Sequence, residues 1–228
     1  MIQPLPLDQG LFGRLRRDAG AAWERFIRHP FVLGIGTATL PQPAFQHYLK
    51  QDYLFLIQFA RAHALAGYKS PDLAGLRAAA VAVTNIVDIE MPLHITYCAG
   101  WGLTEAQMQA EPEDLETIAY TRFVLERGLA GDGLDLHTAL IPCLVGYAEV
   151  VDRLLADPAT QRAGNPYAAW MEAYSSAGYR AAAAEAIDSL DRQFAARGSE
   201  ARYPELLATF TAATRLEEAF WEMGWRKR

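Results

Sequence analysis

The chain of 228 residues contains only two cysteines, Cys98 and Cys143, and neither belongs to a CxxC motif or to a Cys/His cluster. Two isolated thiols argue against a disulfide framework and against a zinc site with the usual ligand spacing. Unpaired thiols are typical of proteins in a reducing compartment. We therefore expect a cytoplasmic protein.

The sequence also has no excess of positive charge. Its 21 Lys and Arg residues are outnumbered by 27 Asp and Glu residues, which gives a net charge of -6 at pH 7. This balance disfavours nucleic acid and anionic membrane surfaces as partners. No apolar run approaches the ~20 residues of a membrane span. The segment MIQPLPLDQG has no basic residue before an apolar core, so we expect no secretory signal.

Strand-like alternation, internal repeats and linker-like stretches are absent as well. With 51% hydrophobic residues, the chain is predicted to be one all-α domain over residues 1–228. Residues 31–43, FVLGIGTATLPQP, are predicted to be a connection, and Pro92 is predicted to kink its helix. Apolar residues at helical spacing predict helices over Leu11–Ile27, Pro43–Ala66, Asp72–Gly100, Thr104–Gln109, Leu115–Leu129, Leu134–Asp157, Tyr167–Tyr174, Ser176–Arg197 and Arg202–Lys227.

Glu90 and His94 are spaced i,i+4 and could ligate a metal from one helix face. A metal site needs more ligands, and the sequence has no second E-x-x-H or E-x-x-x-H pair. We therefore favour a structural hydrogen bond for this pair and expect neither metal nor cofactor.

Three polar residues fall on inward-facing apolar stripes: Asp52, Cys143 and Glu217. A lone inward cysteine is more often a small core residue than a reactive one. Burying a carboxylate is costly without a hydrogen-bond donor, so Asp52 has either a partner in the fold, such as Tyr or Arg, or a ligand. Pro142 lacks an N–H group and is expected to bend or loosen the helix beside the thiol.

Two carboxylates and a thiol in one apolar interior together suggest a site. A thiolate can add to an electron-poor carbon, and a nearby carboxylic acid can protonate a leaving group or a ring nitrogen. His137 lies six residues before Cys143 and roughly on the other side of the helix, which makes a local Cys–His pair unlikely. The distant His29, His47 and His94 remain open as partners.

Five motifs resemble thiaminase II, the TenA-type proteins, in order and at similar separations. They are HPFVLGIGTATLP, LKQDYLFLIQFARA, EMPLH, LIPCLVGYAEV and LEEAFWEMGWR. The resemblance implies a haem-oxygenase-like helical bundle, usually a homotetramer. It also implies an aminopyrimidine aminohydrolase, which converts aminomethyl-aminopyrimidine to the hydroxymethyl compound with release of ammonia, and which cleaves thiamin more slowly.

The same resemblance implies roles for individual residues. Cys143 would be the nucleophile that adds to the pyrimidine ring, and Glu217 the acid/base group that serves a ring nitrogen and the water. Asp52 would accept hydrogen bonds from the exocyclic amine. Glu90 and His94 match a buried supporting pair. Aromatic residues expected around the substrate are Tyr120, Tyr147, Tyr174 and Phe55.

Two departures from the family pattern keep another function open. Phe55 stands where many members have an aromatic hydroxyl, and the SSAGY segment after Tyr174 is not the expected glycine/acidic version. A pyrimidine-binding or regulatory protein with little turnover is therefore the alternative. A haem, quinone-cofactor or di-iron oxygenase on the same fold would need an axial His or several carboxylate/His ligands on facing helices.

Overall fold

A computed structural model describes residues 4–227, and within that range it contains α-helices and no β-strand. Residues 1–3 and 228, which the predicted single domain includes, lie outside the described residues. The helices are α1 Gly10–Ala19, α2 Ala21–Ile27, α3 Pro30–Gly36, α4 Gln42–Lys69, α5 Leu73–Asn85, α6 Met91–Ala99, α7 Glu105–Ala110, α8 Leu115–Ala130, α9 Gly133–Ala156, α10 Ala168–Ser175, α11 Ala177–Arg197 and α12 Tyr203–Trp225.

The first predicted helix was wrong in one respect, because it is two helices. Gly20 separates α1 from α2 with φ +52° and ψ -114°, a backbone conformation that side-chain-bearing residues rarely adopt. The apolar periodicity continues across the break, since both helices bury the same side, and so the pattern of apolar residues does not reveal it.

The predicted connection over residues 31–43 was also wrong in its first half, which forms α3. Pro30 occupies the first turn, where its missing N–H costs nothing, and the His29 ring nitrogen Nδ1 accepts a hydrogen bond from the Phe31 amide. Gly34 and Gly36 are weak helix formers and concealed this element in the sequence. Tertiary packing stabilises it, because Phe31 stacks on Trp221 of α12 at 5.2 Å.

Helices α5 and α6 form one unbroken helical rod, joined by a π-turn over Ile86–Glu90. The distortion expected at Pro92 thus lies just before it, and Pro92 itself sits in the first turn of α6. By length and composition the rod, Leu73–Ala99, is the one helix of the described range that could cross a membrane. Its inner side packs along α4 and places His94 and Cys98 in the interior, so the rod is part of the bundle.

Helices α9 and α12 lie at the centre of the molecule. α12 packs against α1, α2, α3, α4, α8 and α9. Gly146 of α9 permits the close approach of α2, because a Cβ atom there would come within 2.2 Å of the Phe26 ring. This packing keeps the polar residues of α9 and α12 inside the same aromatic core.

One carboxylate of α9 is buried but fully compensated. Glu149 accepts two hydrogen bonds from Arg16, one from Trp23 Nε1, and others from Arg153. Burial raises the pKa of Glu149, but these donors, Arg16 foremost, outweigh burial and hold that pKa below its ordinary value. The network ties α1 and α2 to α9.

Candidate active site

Helix α9 carries Cys143 and Tyr147 on one face, at i,i+4 spacing. The helix is anchored at its start by a capping box between Asp132 and Asp135, and it continues without a break through Pro142. Tyr147 is buried, whereas Cys143 is half-buried and keeps accessible surface. This residue therefore packs against the core with part of its surface accessible.

Glu217 of α12 is buried beside the thiol. Tyr120 of α8, also buried, donates a hydrogen bond of 2.7 Å from its hydroxyl to Glu217 Oε1. Burial raises the pKa of Glu217 to about 8, even though the hydrogen bonds with Tyr120 and with the Cys143 thiol lower it. At neutral pH the Glu217 side chain is therefore mainly a carboxylic acid, which can give a proton to a ligand.

Burial also raises the pKa of the Cys143 thiol well above its ordinary value, and the negative charges of Glu217, Asp52 and Glu90 raise it further. The resting side chain is thus a thiol. It can act as a nucleophile only if a neighbouring group takes its proton as the new bond forms. Among the neighbouring side chains, Glu217 has the strongest effect on the pKa of this thiol.

Asp52 of α4 faces the site and has a partner in the fold, His94, that the sequence analysis did not assign to it. His94 Nε2 lies 2.6 Å from Asp52 Oδ2, while His94 Nδ1 lies 2.9 Å from the Glu90 carbonyl oxygen. Because both of these oxygens accept hydrogen bonds, both ring nitrogens carry a proton and the ring is an imidazolium. Burial lowers the pKa of His94, but the hydrogen bond and charge of Asp52 outweigh burial and raise it overall.

The other oxygen of Asp52 is available to a ligand. Tyr48 and His94 both donate to Oδ2, and no hydrogen bond between described residues reaches Oδ1. The expected structural hydrogen bond of the Glu90–His94 pair is thus present, although it uses the backbone of Glu90 and not its carboxylate. Asp52 has both kinds of partner that the sequence allowed, a tyrosine in the fold and a free oxygen for a ligand.

Aromatic rings form the walls between the two carboxylates. Tyr147 packs against Tyr174 of α10 with ring centres 4.9 Å apart. Phe55 lies on the opposite side, where its ring contacts Tyr120 at 5.0 Å and brings no hydroxyl. Every site residue expected from the sequence thus lies within this one group of side chains.

Two tyrosines of the group were missed by the sequence interpretation. The spacing of Tyr48, one turn before Asp52, is that of a core residue. Its hydroxyl nevertheless donates a hydrogen bond of 3.3 Å to Asp52 Oδ2 and accepts one from Trp170 Nε1. Tyr179, on the first turn of α11, donates to the Leu144 carbonyl and packs edge-on against Tyr174. The position of Tyr48 at i-4 from an inward Asp was the available signal, and Tyr179 had none.

Two surface cavities of the described residues lie elsewhere. Each has a volume of about 320 Å³. The lining of the first includes Arg16, Arg17 and Trp23, and the lining of the second includes Tyr97, Trp101 and Tyr167. Neither cavity is lined by Cys143, Asp52 or Glu217. Within residues 4–227, no three His, Cys, Asp or Glu side chains meet in a metal-binding group. The candidate site is defined by the side chains that converge around Cys143, Asp52 and Glu217.

Comparison with known proteins agrees with this arrangement. The chain is 36% identical to an uncharacterised protein of Haemophilus influenzae, over 92% of this chain and 97% of that protein. It is 33% identical to the aminopyrimidine aminohydrolase of Halalkalibacterium halodurans, over 94% of this chain and 95% of the relative.

Solved structures match the fold equally well. A TenA family transcription regulator from Silicibacter sp. TM1040 superposes with a TM-score of 0.89 at 42% identity, covering 94% of this chain and 96% of the other. A domain with a heme oxygenase-like fold from Shewanella denitrificans, 14% identical, superposes with a TM-score of 0.72 over 93% and 91% of the two chains. The predicted haem-oxygenase-like helical bundle is confirmed. Since the sequence profile of the family also matches residues 16–227, this chain belongs to the TENA/THI-4/PQQC family.

Proposed function

We propose that the chain is an aminopyrimidine aminohydrolase, which converts aminomethyl-aminopyrimidine and water to the hydroxymethyl compound and ammonia in thiamin salvage. Slower cleavage of thiamin is part of the proposal. The observation that carries it is that one aromatic interior holds Cys143, a buried Glu217 bound by Tyr120, and an Asp52 whose Oδ1 accepts no hydrogen bond from the described residues. A relative that bears this activity in its name supports it.

Asp52 is the group that orients the substrate. Its Oδ1 accepts a hydrogen bond from the exocyclic amine of the pyrimidine, and the hydrogen bond from His94 to Oδ2 holds the carboxylate in position. The aromatic rings of Tyr147, Tyr174 and Phe55 enclose the pyrimidine plane.

Cys143 and Glu217 activate the ring. Glu217 gives its proton to a ring nitrogen while the sulfur bonds to a ring carbon, and the resulting carboxylate takes the thiol proton. The net result is transfer of the S–H proton to the ring nitrogen, with the carboxyl group regenerated. The electron-rich adduct then expels the group on the methylene carbon, water adds there, and the sulfur leaves.

The experiment is ammonia release from aminomethyl-aminopyrimidine by the purified protein and by Cys143→Ser. We expect turnover by the former and none by the latter, with Cys98→Ala as the matched control because this fully buried thiol has no part in the proposed steps. Binding of the hydroxymethyl product without any turnover by the wild-type protein would instead identify a pyrimidine-binding protein, the function that Phe55 favours.

We further propose a cytoplasmic homotetramer assembled through the outer side of the Leu73–Ala99 rod. Large apolar side chains there are about half exposed: Leu73, Leu76, Val81, Val87, Ile89 and Leu93. An exposed apolar surface of this length marks an interface. Val81→Glu should dissociate the assembly in light scattering, whereas Glu172→Lys on the exposed side of α10 should leave it intact. A monomeric wild-type protein would contradict this assembly.

A further inference from the structure

One carboxyl group that faces the site has no role in the steps above. Glu90 ends the π-turn Ile86–Glu90, and no hydrogen bond between described residues reaches its carboxylate. Glu90 is half-buried. Its neighbours Asp88 and Ile89 in the same turn are exposed to solvent.

The charge of Glu90 affects the pKa values of groups on several helices. It raises the pKa of Cys143 on α9, of Tyr174 on α10 and of Tyr179 on α11. It also interacts with Asp52 of α4 and with His94 one turn further along its own rod. Glu90 shares its helix face with His94, four residues later, and the His94 ring contacts Asp52 at 2.6 Å, which places Glu90 near the Asp52 end of the candidate site.

The π-turn explains how Glu90 reaches this place. A π-turn inserts an extra residue into a helix, shifts the facing side and often occurs at functional sites. Here it allows Glu90 and His94 to face inward on a rod whose outer side is apolar and exposed. Burial raises the pKa of Glu90 to about 7, with His94 lowering it and Asp52 raising it. Both the acid and the carboxylate are therefore populated near neutral pH.

We propose that Glu90 is a second catalytic acid/base, which protonates the departing amine and then takes a proton from the water that replaces it. This inference rests on the proposed function. The Glu90 carboxylic acid gives its proton to the amine nitrogen as the carbon–nitrogen bond breaks and its electron pair goes to nitrogen, which leaves as ammonia. The Glu90 carboxylate then removes a proton from water as the water oxygen bonds to the methylene carbon. The carboxylic acid is regenerated, and Glu217 is left to serve the ring nitrogen and the thiol.

The two substrates of the proposed reaction separate this role from a structural one. Ammonia needs a proton to depart, whereas the thiazolium of thiamin leaves with the bonding pair as a neutral thiazole and needs none. Single-turnover experiments with excess enzyme measure the release of each leaving group before the water step. We expect Glu90→Gln to slow ammonia release by roughly 10²–10⁴-fold, the usual contribution of an acid/base group. Thiazole release should change by less than about tenfold, because no acid acts there.

Variants of the same segment provide the controls. Asp88→Asn removes an exposed carboxylate from the same turn and should change neither rate. Glu90→Asp retains an acid and should restore part of the ammonia release, which a packing defect would not allow. If Glu90→Gln slows both leaving groups by the same factor, or neither, the assignment is overturned. A wild-type protein that releases neither leaving group would overturn the proposed function itself, and this inference with it.

Discussion

The hydroxyl of Tyr120 donates a hydrogen bond of 2.7 Å to Oε1 of Glu217, and 97 residues of sequence separate the two. This contact joins α8 to α12 in the interior and sets the acidity of the carboxyl group next to Cys143. Burial alone would raise the pKa of Glu217 further than the value of about 8 that it has with Tyr120 in place.

Removing this donor should therefore move the pH profile. In Tyr120→Phe the pKa of Glu217 rises above about 8, because a hydrogen bond that favours the ionised form is lost. If Glu217 acts as the acid, the alkaline fall of kcat/KM for ammonia release shifts to higher pH. Tyr68→Phe, on an 86% exposed side chain, should leave the profile unchanged. An unshifted alkaline limb in Tyr120→Phe would show that another group controls it.

Glu217 should also make stability depend on pH. Its folded-state pKa of about 8 lies above its ordinary value of 4.5, so the folded chain binds more protons than the unfolded chain between these values. The free-energy cost of keeping an ionised carboxylate buried is absent below pH 4.5. It grows as the pH rises and reaches its full value above about 8. We expect urea titrations to show that the free energy of unfolding of Glu217→Gln, relative to that of the wild type, increases between pH 5 and pH 9. The increase should be on the order of 3–5 kcal/mol. Parallel stability curves for the two proteins would contradict this.

Asp52→Asn should have two linked effects. Without the Asp52 charge and hydrogen bond, which raise it, the pKa of His94 should fall because burial then dominates, and NMR titration of the His94 ring reports this. Binding of the hydroxymethyl product should weaken about 10–100-fold, the value of a hydrogen bond to a charged group. Asp114→Asn is the matched control, because Asp114 is also paired with a residue of α4. Its Oδ2 lies 2.7 Å from Nε2 of His47. Equal losses in both variants would indicate a general effect on α4.

The Glu149 network should be essential for stability and irrelevant to chemistry. Arg16→Ala removes two of its hydrogen bonds and leaves a buried carboxylate with Trp23 and Arg153 only. We expect a loss of roughly 3 kcal/mol in the free energy of unfolding, the lower end for a broken buried ion pair. Arg17→Ala, beside it but exposed, should cost less than about 0.5 kcal/mol. Chemical denaturation measures both, and similar losses would contradict the account.

Much of the fold could be predicted because helical periodicity is a local property. The apolar stripe of Leu134–Asp157 placed α9 within one residue at each end, and the spacing around Asp52, Cys143 and Glu217 put each of them on an inward face. The predicted helix Thr104–Gln109 likewise begins at the residue that caps α7, where Thr104 forms a capping box with Gln107. These features depend on residues within a few turns of one another.

The elements that the sequence missed depend on distant residues or on backbone freedom. Gly20 breaks a continuous apolar stripe through its φ angle, and α3 is helical despite two glycines because Phe31 docks on Trp221. No local pattern contains either fact.

The sequence by itself determined that this protein is a bundle of amphipathic helices with two carboxylates and a thiol turned inward, since a period of 3.6 residues fixes which side chains share a face. Only the tertiary structure decided which of them meet. His94 reaches Asp52 across 42 residues, and the π-turn ends at Glu90, four residues before His94. The relative placement of the helices sets these distances, and it results from side-chain packing between helices.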